Sequence, residues 1–155
     1  MSEKNHILRI LEQVRSGDMT PESALLQLKL EPFQDLGYAK VDHHRRLRQG
    51  VPEVIYGAGK TPEQMVGIVS AMQEAGQETV LITRLSPEAA EIVGRTHPMT
   101  YHEMGRIATI GPLPEPDGLG TIVIATGGTS DVPVAEEAAI TAQALGNRVR
   151  KLYDV

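Results

Sequence analysis

The stretch that decides the fold is Thr121-Ile122-Val123-Ile124-Ala125-Thr126-Gly127-Gly128-Thr129-Ser130-Asp131. Residues 121–125 form an uninterrupted run of mostly β-branched residues, which is typical of a strand buried on both faces. The loop 126–131 leads into a segment with helical periodicity that predicts a helix to about Leu145, and Val149 to Val155 then has the pattern of a second strand. This β-loop-α-β order predicts the opening of a doubly wound parallel sheet.

The segment before that unit has the pattern of a small α/β domain with parallel pairing, because strand-like and helix-like patterns alternate along it. Strands are predicted within 36–58 and at 79–83, 99–104 and 106–110, and helices at about 62–75 and 86–95. Residues 111–120 contain three prolines and three glycines. Such a composition fits neither a helix nor a central strand, so this segment is the predicted linker.

The N-terminal residues predict a helical hairpin, with one helix from about Asn5 to Arg15 and a second that follows Thr20. Three helix starts have a hydroxyl residue, then proline, then glutamate, at residues 20–22, 61–63 and 86–88. The hydroxyl caps the helix, proline fits its first position, and the acid lies near the positive end of the helix dipole. Gln64 completes a capping box with Thr61.

These patterns divide the chain into two predicted domains. Residues 1–117 form the first, with a helical arm (1–33), a small α/β domain (34–110) and a linker that extends over 111–120. Residues 118–155 form the second, which has one β-α-β unit where a doubly wound sheet needs several more strands. We therefore expect the sequence to be the front part of a longer protein, or one whose remaining strands come from a partner.

The composition excludes several classes of function. The net charge of −5 and an aromatic content of 3% argue against a nucleic-acid binder. The chain contains no cysteine, so it has no disulfide, no thiolate metal site and no cysteine nucleophile of its own. The sequence shows neither a transmembrane run nor a signal peptide, and the cytoplasm is the expected location.

The loop 126–131 is the strongest candidate for a ligand site. Gly127 and Gly128 let a ligand approach the backbone closely, and the free N–H groups of the following helix favour a phosphate. Ser130 adds a hydroxyl, whereas the Asp131 carboxylate would repel a phosphate and suits ribose hydroxyls better. The alternative is that one of these two side chains merely caps the helix.

Two other segments carry weaker signals. Residues 54–61, VIYGAGKT, are not a P-loop, because Val54 stands where that motif needs its first glycine. Lys60 could still hold an anion, and the alternative is a solvated lysine on a plain turn. In the polar run 42–48, Arg45 could face an acid or a phosphate, although a charged solvated strand edge is the commoner outcome. His97 and His102 are isolated and receive no role.

Three motifs together resemble LarB, a family of nickel-pincer nucleotide biosynthesis proteins whose C-terminal part is similar to the carboxylase PurE. They are AKVDHHR at 39–45, RQGVPEVIYGAGKT at 48–61 and ATGGTSDVPVAEEA at 125–138. The resemblance covers the whole chain. It implies a LarB-type N-terminal domain followed by the first β-α-β unit of a flavodoxin-like, PurE-type parallel sheet.

The resemblance also implies an activity. LarB-type proteins carboxylate the pyridinium ring of nicotinic acid adenine dinucleotide and cleave its phosphoanhydride, giving pyridinium-3,5-biscarboxylic acid mononucleotide and AMP. A thiolate adds to the ring, and the enamine-like adduct then attacks carbon dioxide. The family's cysteine lies beyond the part that corresponds to Val155, so we expect this chain alone to be inactive.

By the same resemblance, Ser130 and Asp131 contact the ribose phosphate of the substrate, while the turn at Gly127 and Gly128 lets it approach. Carbon dioxide or bicarbonate is the co-substrate, and magnesium is an assisting ion of the family, with no ligand assigned here. No tightly bound cofactor is implied.

Lys60 and Arg45 are further candidates for contacts to a phosphate or a carboxylate. The expected partners are a small-molecule dinucleotide and other copies of the chain, since the full-length family forms octamers, with no nucleic acid and no membrane. Two alternatives stay open at this point. A PurE-type protein of purine biosynthesis would leave the first 110 residues unexplained, and a non-catalytic module would bind a nucleotide or a partner.

Overall fold

The computed structural model describes residues 3–30, 33–42 and 53–155. Its helices are α1 (Glu3–Ser16), α2 (Pro21–Leu30), α3 (Pro62–Glu74), α4 (Pro87–Thr96) and α5 (Val132–Ala144). Its strands are β1 (Phe33–Asp35), β2 (Lys40–Asp42), β3 (Ile55–Tyr56), β4 (Val80–Thr83), β5 (Met99–His102), β6 (Ile107–Ile110), β7 (Thr121–Ala125) and β8 (Arg148–Leu152). The predicted α/β class is confirmed.

The helix starts have the predicted caps. At α3, the Thr61 hydroxyl accepts the Gln64 N–H at 3.3 Å, and the Gln64 side-chain oxygen accepts the Thr61 N–H at 3.0 Å. This reciprocal pair is the predicted capping box. At α4, Ser86 accepts the Ala89 N–H at 3.2 Å. Both caps satisfy backbone donors that the first turn of a helix leaves unpaired.

The central sheet has the strand order β3-β4-β6-β5. Strand β3 runs parallel to β4, whereas β4 with β6 and β5 with β6 are antiparallel pairs. The prediction of parallel pairing is therefore right for β3 and β4 and wrong for the rest of this sheet. Only residues 103–106 connect β5 to β6, and a connection that short cannot make the crossover that parallel strands need.

The main core lies between this sheet and helices α3 and α4. It is aliphatic, as the low aromatic content requires, and the predicted apolar face of α3 is buried in it. Its most deeply buried members are Ile55, Met65, Val69, Ala71, Met72, Val80, Ile82, Leu85, Val93, Ala108 and Ile110. Burying such side chains contributes about 1.5–3 kcal/mol each, so this sheet is the rigid platform of the molecule.

The N-terminal arm is a helical hairpin, as predicted. Helix α1 buries Ile10 and α2 buries Ala24. Four leucines of the two helices remain about half exposed or more: Leu8, Leu11, Leu25 and Leu26. Beyond the arm, β1 and β2 form an antiparallel pair in which Gln34 faces Val41. The sequence analysis predicted a strand at β2 and missed β1, which is only three residues long.

Strands β7 and β8 pair in parallel, with Thr121 opposite Arg148 and Ala125 opposite Leu152. Helix α5 connects them, so the predicted β-α-β unit is present. The prediction that β7 is buried on both faces is wrong within the described chain, since Ile122 is 41% and Val123 54% exposed. Helix α5 packs on this pair, and nothing among the described residues covers those side chains.

Residues 111–120, which precede β7, carry no helix or strand, and each of them is exposed. This agrees with their content of proline and glycine. None of the helices in the described ranges has the length and apolar character that crossing a membrane requires.

The Thr61 cap gives a test of the fold. We expect Thr61→Ala to lower the free energy of unfolding by about 1 kcal/mol, because the Gln64 N–H loses its partner. Thr61→Ser keeps the oxygen and serves as the matched control, with a loss well below that of alanine. Urea denaturation of the three proteins measures both values, and equal losses for alanine and serine would contradict the capping role.

Candidate functional site

The loop that follows β7 is anchored by Thr126, which is buried. The Thr126 N–H donates to the Leu152 carbonyl at 3.0 Å, and the Thr126 carbonyl accepts the Val155 N–H at 3.1 Å. The Thr126 hydroxyl accepts the Asp154 N–H, also at 3.1 Å. These bonds fix the start of the loop at the carboxyl end of the parallel pair, which is where ligands bind in open α/β sheets.

The glycine pair has open space around it. A Cβ atom added at Gly127 or Gly128 would meet no atom within 4 Å. Gly128 has a φ of −173°, an extended conformation that any residue adopts. Neither packing within the described chain nor its backbone angle therefore requires glycine at Gly128. The open surface here is suited to close approach of a ligand to the backbone.

Ser130 and Asp131 lie in the 3₁₀ turn Thr129–Asp131 that leads into α5. Both side chains are exposed, and neither caps the helix with a hydrogen bond. Asp131 stands at the N-cap position of α5, but its side chain accepts no capping hydrogen bond. Within the described part of the chain, the Ser130 hydroxyl and the Asp131 carboxylate remain open to a ligand beside the first turn of α5.

A cleft of about 510 Å³ lies against the first two turns of α5. The loop after β4, the start of α4, the β5–β6 turn and the first two turns of α5 line it, with Arg84, Pro87, Glu103, Met104, Gly105, Arg106, Pro133, Val134 and Glu137. Arg84 Nε lies 2.9 Å from Glu137 Oε2. The cleft therefore has walls from both the central sheet and the β-α-β unit, and an ion pair joins the two.

Both arginines of the cleft have left-handed backbone conformations, with φ of 54° at Arg84 and 47° at Arg106. This conformation costs a residue other than glycine on the order of 1 kcal/mol. The sequence analysis did not single out either residue. No sequence motif signals a left-handed arginine, and the two positions meet only through the fold of the sheet.

The β5–β6 turn packs directly on the backbone of α5. A Cβ atom at Gly105 would lie 3.0 Å from Glu137 N, 3.1 Å from Glu136 Cβ and 3.2 Å from Ile107 Cγ2. These distances are shorter than an ordinary van der Waals contact. A side chain here would require the turn or the helix to shift by a few tenths of an ångström, so the close approach favours glycine.

A polar cluster lies between the end of β5, α5 and β8. Lys151 Nζ and Glu136 Oε2 form an ion pair at 2.6 Å. Burial lowers the pKa of His102, and the charge of Lys151 lowers it further. The Tyr153 hydroxyl is buried without a hydrogen-bond partner among the described residues, and burial raises its pKa. His97, in contrast, is a core histidine whose Nε2 lies near Ser70 Oγ and the Val66 carbonyl.

Among the described residues, no three histidine, aspartate or glutamate side chains come together in a cluster that could hold a metal ion by itself.

The central part of the sequence matches a known protein family. Residues 33–112, just over half of the chain, match the family described as "LarB/PurE-like N-terminal domain". The chain belongs to this LarB/PurE-like family. The matched range covers β1 to β6 with α3 and α4, which is the central sheet together with the strand pair before it.

A relative in Methanocaldococcus jannaschii carries the name "Uncharacterized protein MJ0165". It is 29% identical to this LarB/PurE-like chain over 153 residues, which cover 94% of the chain and 60% of the relative. The chain thus spans about three fifths of that protein's length. Because the similarity covers nearly the whole chain, it also includes the β-α-β unit with the loop 126–131.

In this LarB/PurE-like chain the candidate residues do not all share one cleft. Lys60 lines a second cleft of about 370 Å³, together with Tyr38, Lys40 and Tyr56. Its N–H donates to the Gly57 carbonyl at 3.1 Å in the turn before α3. Arg45 lies outside the described residues. The cleft at the start of α5 is lined by none of Ser130, Asp131 and Lys60.

Gly105 gives a test of the joint between the sheet and α5. We expect Gly105→Ala to destabilise the protein by about 1–3 kcal/mol, the usual cost of overpacking, because its methyl group meets the α5 backbone. Gly94→Ala in α4 is the matched control, since a Cβ there meets nothing within 4 Å. Thermal unfolding should show a lower Tm for Gly105→Ala alone, and equal Tm changes would contradict the close approach.

The lowered pKa of His102 predicts a pH dependence of stability. Between its folded-state pKa and the ordinary value of 6.5, the unfolded chain binds the proton more readily than the folded one. The free energy of unfolding should therefore fall as the pH drops through 6.5, and His102→Gln should remove this component. Urea denaturation at pH 8 and pH 5 tests it. A stability difference between parent and variant that stays constant with pH would refute it.

Proposed function

We propose that the chain provides the nucleotide-binding part of a LarB-type enzyme. This enzyme carboxylates the pyridinium ring of nicotinic acid adenine dinucleotide and hydrolyses its phosphoanhydride. The products are pyridinium-3,5-biscarboxylic acid mononucleotide and AMP. Membership of the LarB/PurE-like family supports the class of protein. The exposed side chains of the loop after β7 support binding of a nucleotide.

The loop has the chemistry that a ribose phosphate needs. The two glycines leave the backbone open, and the Ser130 hydroxyl can donate to a phosphate oxygen. The Asp131 carboxylate would repel a phosphate but accepts hydrogen bonds from ribose hydroxyls. A hydroxyl and a carboxylate side by side thus fit the sugar and the phosphate of one nucleotide.

In this role the described residues bind the nucleotide and do not react with the pyridinium ring. The chain has no cysteine, so the thiolate that the LarB resemblance implies does not come from these residues. We assign to the described residues the holding of the mononucleotide half. The family match at 33–112 also accounts for N-terminal residues that the alternative of a PurE-type protein would leave unexplained.

The test is release of AMP from nicotinic acid adenine dinucleotide in the presence of bicarbonate, with the natural gene product. We expect Ser130→Ala and Asp131→Asn each to lower kcat/KM about tenfold or more, since each removes a hydrogen bond or charge from the bound nucleotide. Incorporation of labelled bicarbonate should fall in parallel. Ser16→Ala, far along the chain in α1, is the control variant with unchanged rates.

Two results would overturn the proposal. One is a natural gene product that binds neither nicotinic acid adenine dinucleotide nor nicotinic acid mononucleotide. The other is AMP release that Ser130→Ala and Asp131→Asn leave unchanged. Binding of the mononucleotide without carboxylation or AMP release would instead support the alternative of a non-catalytic nucleotide-binding module.

A further inference from the structure

The cleft that Lys60 lines, at the β3 end of the central sheet, collects aromatic and cationic side chains. We call it the β3 cleft. Its volume is about 370 Å³, and two of the four tyrosines of the chain, Tyr38 and Tyr56, line it. These residues are 49% and 58% exposed, so both rings are accessible. Because aromatic rings on the wall of a cleft stack on planar groups, the β3 cleft favours an aromatic ligand.

The ring of Tyr38 is held in place by a glycine of α3. A Cβ atom added at Gly67 would clash with the Tyr38 hydroxyl oxygen, so the glycine leaves the room in which this hydroxyl lies against the helix. Glycine inside a helix costs about 1 kcal/mol relative to alanine. The turn that carries Tyr38 is also ordered, since the Leu36 N–H donates to the Ala39 carbonyl at 2.9 Å. A ring that is fixed in advance loses little freedom when a ligand binds.

The floor of the β3 cleft is apolar. Val41, Ile68 and Met72 belong to the main core and also line the cleft. Each of them is at most 5% exposed, so the surface beneath a ligand is already packed. An apolar floor with a few charged groups around it is the usual composition of a small-molecule site.

The charged side chains of the β3 cleft favour an anion. Two lysines line it, and Glu53 is the one carboxylate among its described lining residues. Lys60 is partly buried and forms no ion pair with another described side chain. Lys40 Nζ lies 3.8 Å from Asp35 Oδ2, but both side chains are largely exposed, so this pair contributes little and yields easily to a ligand. The lining residues therefore carry a net positive charge.

We propose that the β3 cleft is a second ligand site, which binds a planar aromatic anion independently of the loop 126–131. The ring of the ligand lies on the apolar floor against Tyr38 and Tyr56, and its charged group contacts Lys60 and Lys40. The described lining residues all fall within the family range 33–112, whereas the loop 126–131 lies outside that range and does not line the cleft. An aromatic carboxylic acid and a nucleoside phosphate share the required chemistry.

Calorimetric titration of the natural gene product with two probes tests the proposal. Anthranilate represents the aromatic carboxylic acids, and guanosine monophosphate represents the nucleoside phosphates. We expect at least one of them to bind, and the tighter probe identifies the class of the ligand. The uncharged counterparts, anthranilamide and guanosine, should bind about tenfold more weakly or less, because they lack the charge-assisted contact to the lysines.

Variants of the lining residues locate the bound probe. We expect Lys60→Gln to weaken binding about tenfold or more, while Lys60→Arg keeps the charge and most of the affinity. Tyr56→Leu should weaken binding about tenfold through loss of stacking, and Tyr56→Phe, which keeps the ring, should not. Arg95→Gln is the matched control for loss of one positive charge, because Arg95 is an exposed arginine of α4 paired with Glu91. Its affinity should stay within twofold of the parent.

A pair of variants at the contact between Tyr38 and α3 separates binding from folding. Gly67→Ala should weaken binding severalfold, because its methyl group displaces the Tyr38 hydroxyl and with it the ring. Adding Tyr38→Phe to Gly67→Ala removes the clashing hydroxyl, so the double variant should regain affinity. A loss of binding that came only from poor folding of Gly67→Ala would appear as a lower Tm, and Lys60→Gln and Tyr56→Leu, both at exposed or partly exposed positions, then decide the matter.

The outcomes distinguish this proposal from the proposed function. Failure of both probes to bind the parent, or equal binding to the parent, Lys60→Gln and Tyr56→Leu, overturns the proposal. Saturation with nicotinic acid adenine dinucleotide should leave probe binding unchanged, as should Ser130→Ala. Displacement of the probe by the dinucleotide, or dependence of its binding on Ser130, would show that the cleft is not a second site and would also overturn the proposal. Probe binding that depends on Lys60 in a protein that binds no nicotinic acid nucleotide supports the β3 cleft while the proposed function fails.

Discussion

The contact on which the site depends is the approach of Gly105 to the backbone of α5. A Cβ atom added at Gly105 would lie 3.0 Å from Glu137 N, so the β5–β6 turn lies directly against the helix. A buried apolar cluster of Leu81, Ile107, Ile140 and Ala144 also joins the central sheet to α5. Across the same junction, Arg84 Nε lies 2.9 Å from Glu137 Oε2.

The loop after β7 combines a start that is fixed by hydrogen bonds with exposed side chains further along. Thr126 is held by three hydrogen bonds, whereas Ser130 and Asp131, a few residues later, make no cap on α5. Buried polar groups in proteins are nearly always paired, and exposed ones at a helix start commonly serve as caps. The loop after β7 therefore combines a firmly anchored start with two exposed side chains that do not cap α5.

The sequence was sufficient for what local chemistry controls. The capping box of Thr61, the β-α-β order and the loop after β7 follow from residue types at fixed spacings. The antiparallel course of β5 and β6 and the exposure of Ile122 were not predicted, because both depend on which elements meet in space. Arg84 and Arg106 were not predicted for the same reason, because a single sequence indicates neither their left-handed backbone angles nor that both line one cleft.

The parallel pairing of β7 and β8 has a consequence for the order of folding. Strands β7 and β8 are separated in sequence by the whole of α5, whereas only four residues connect β5 to β6. Closing the longer loop costs more entropy, so we expect the hairpin to form early and the parallel pair late. The elements that form last are often the first to open, and amide exchange should be fastest there. A nucleotide bound after β7 would then slow exchange in this unit most, linking occupancy of the loop to its local stability.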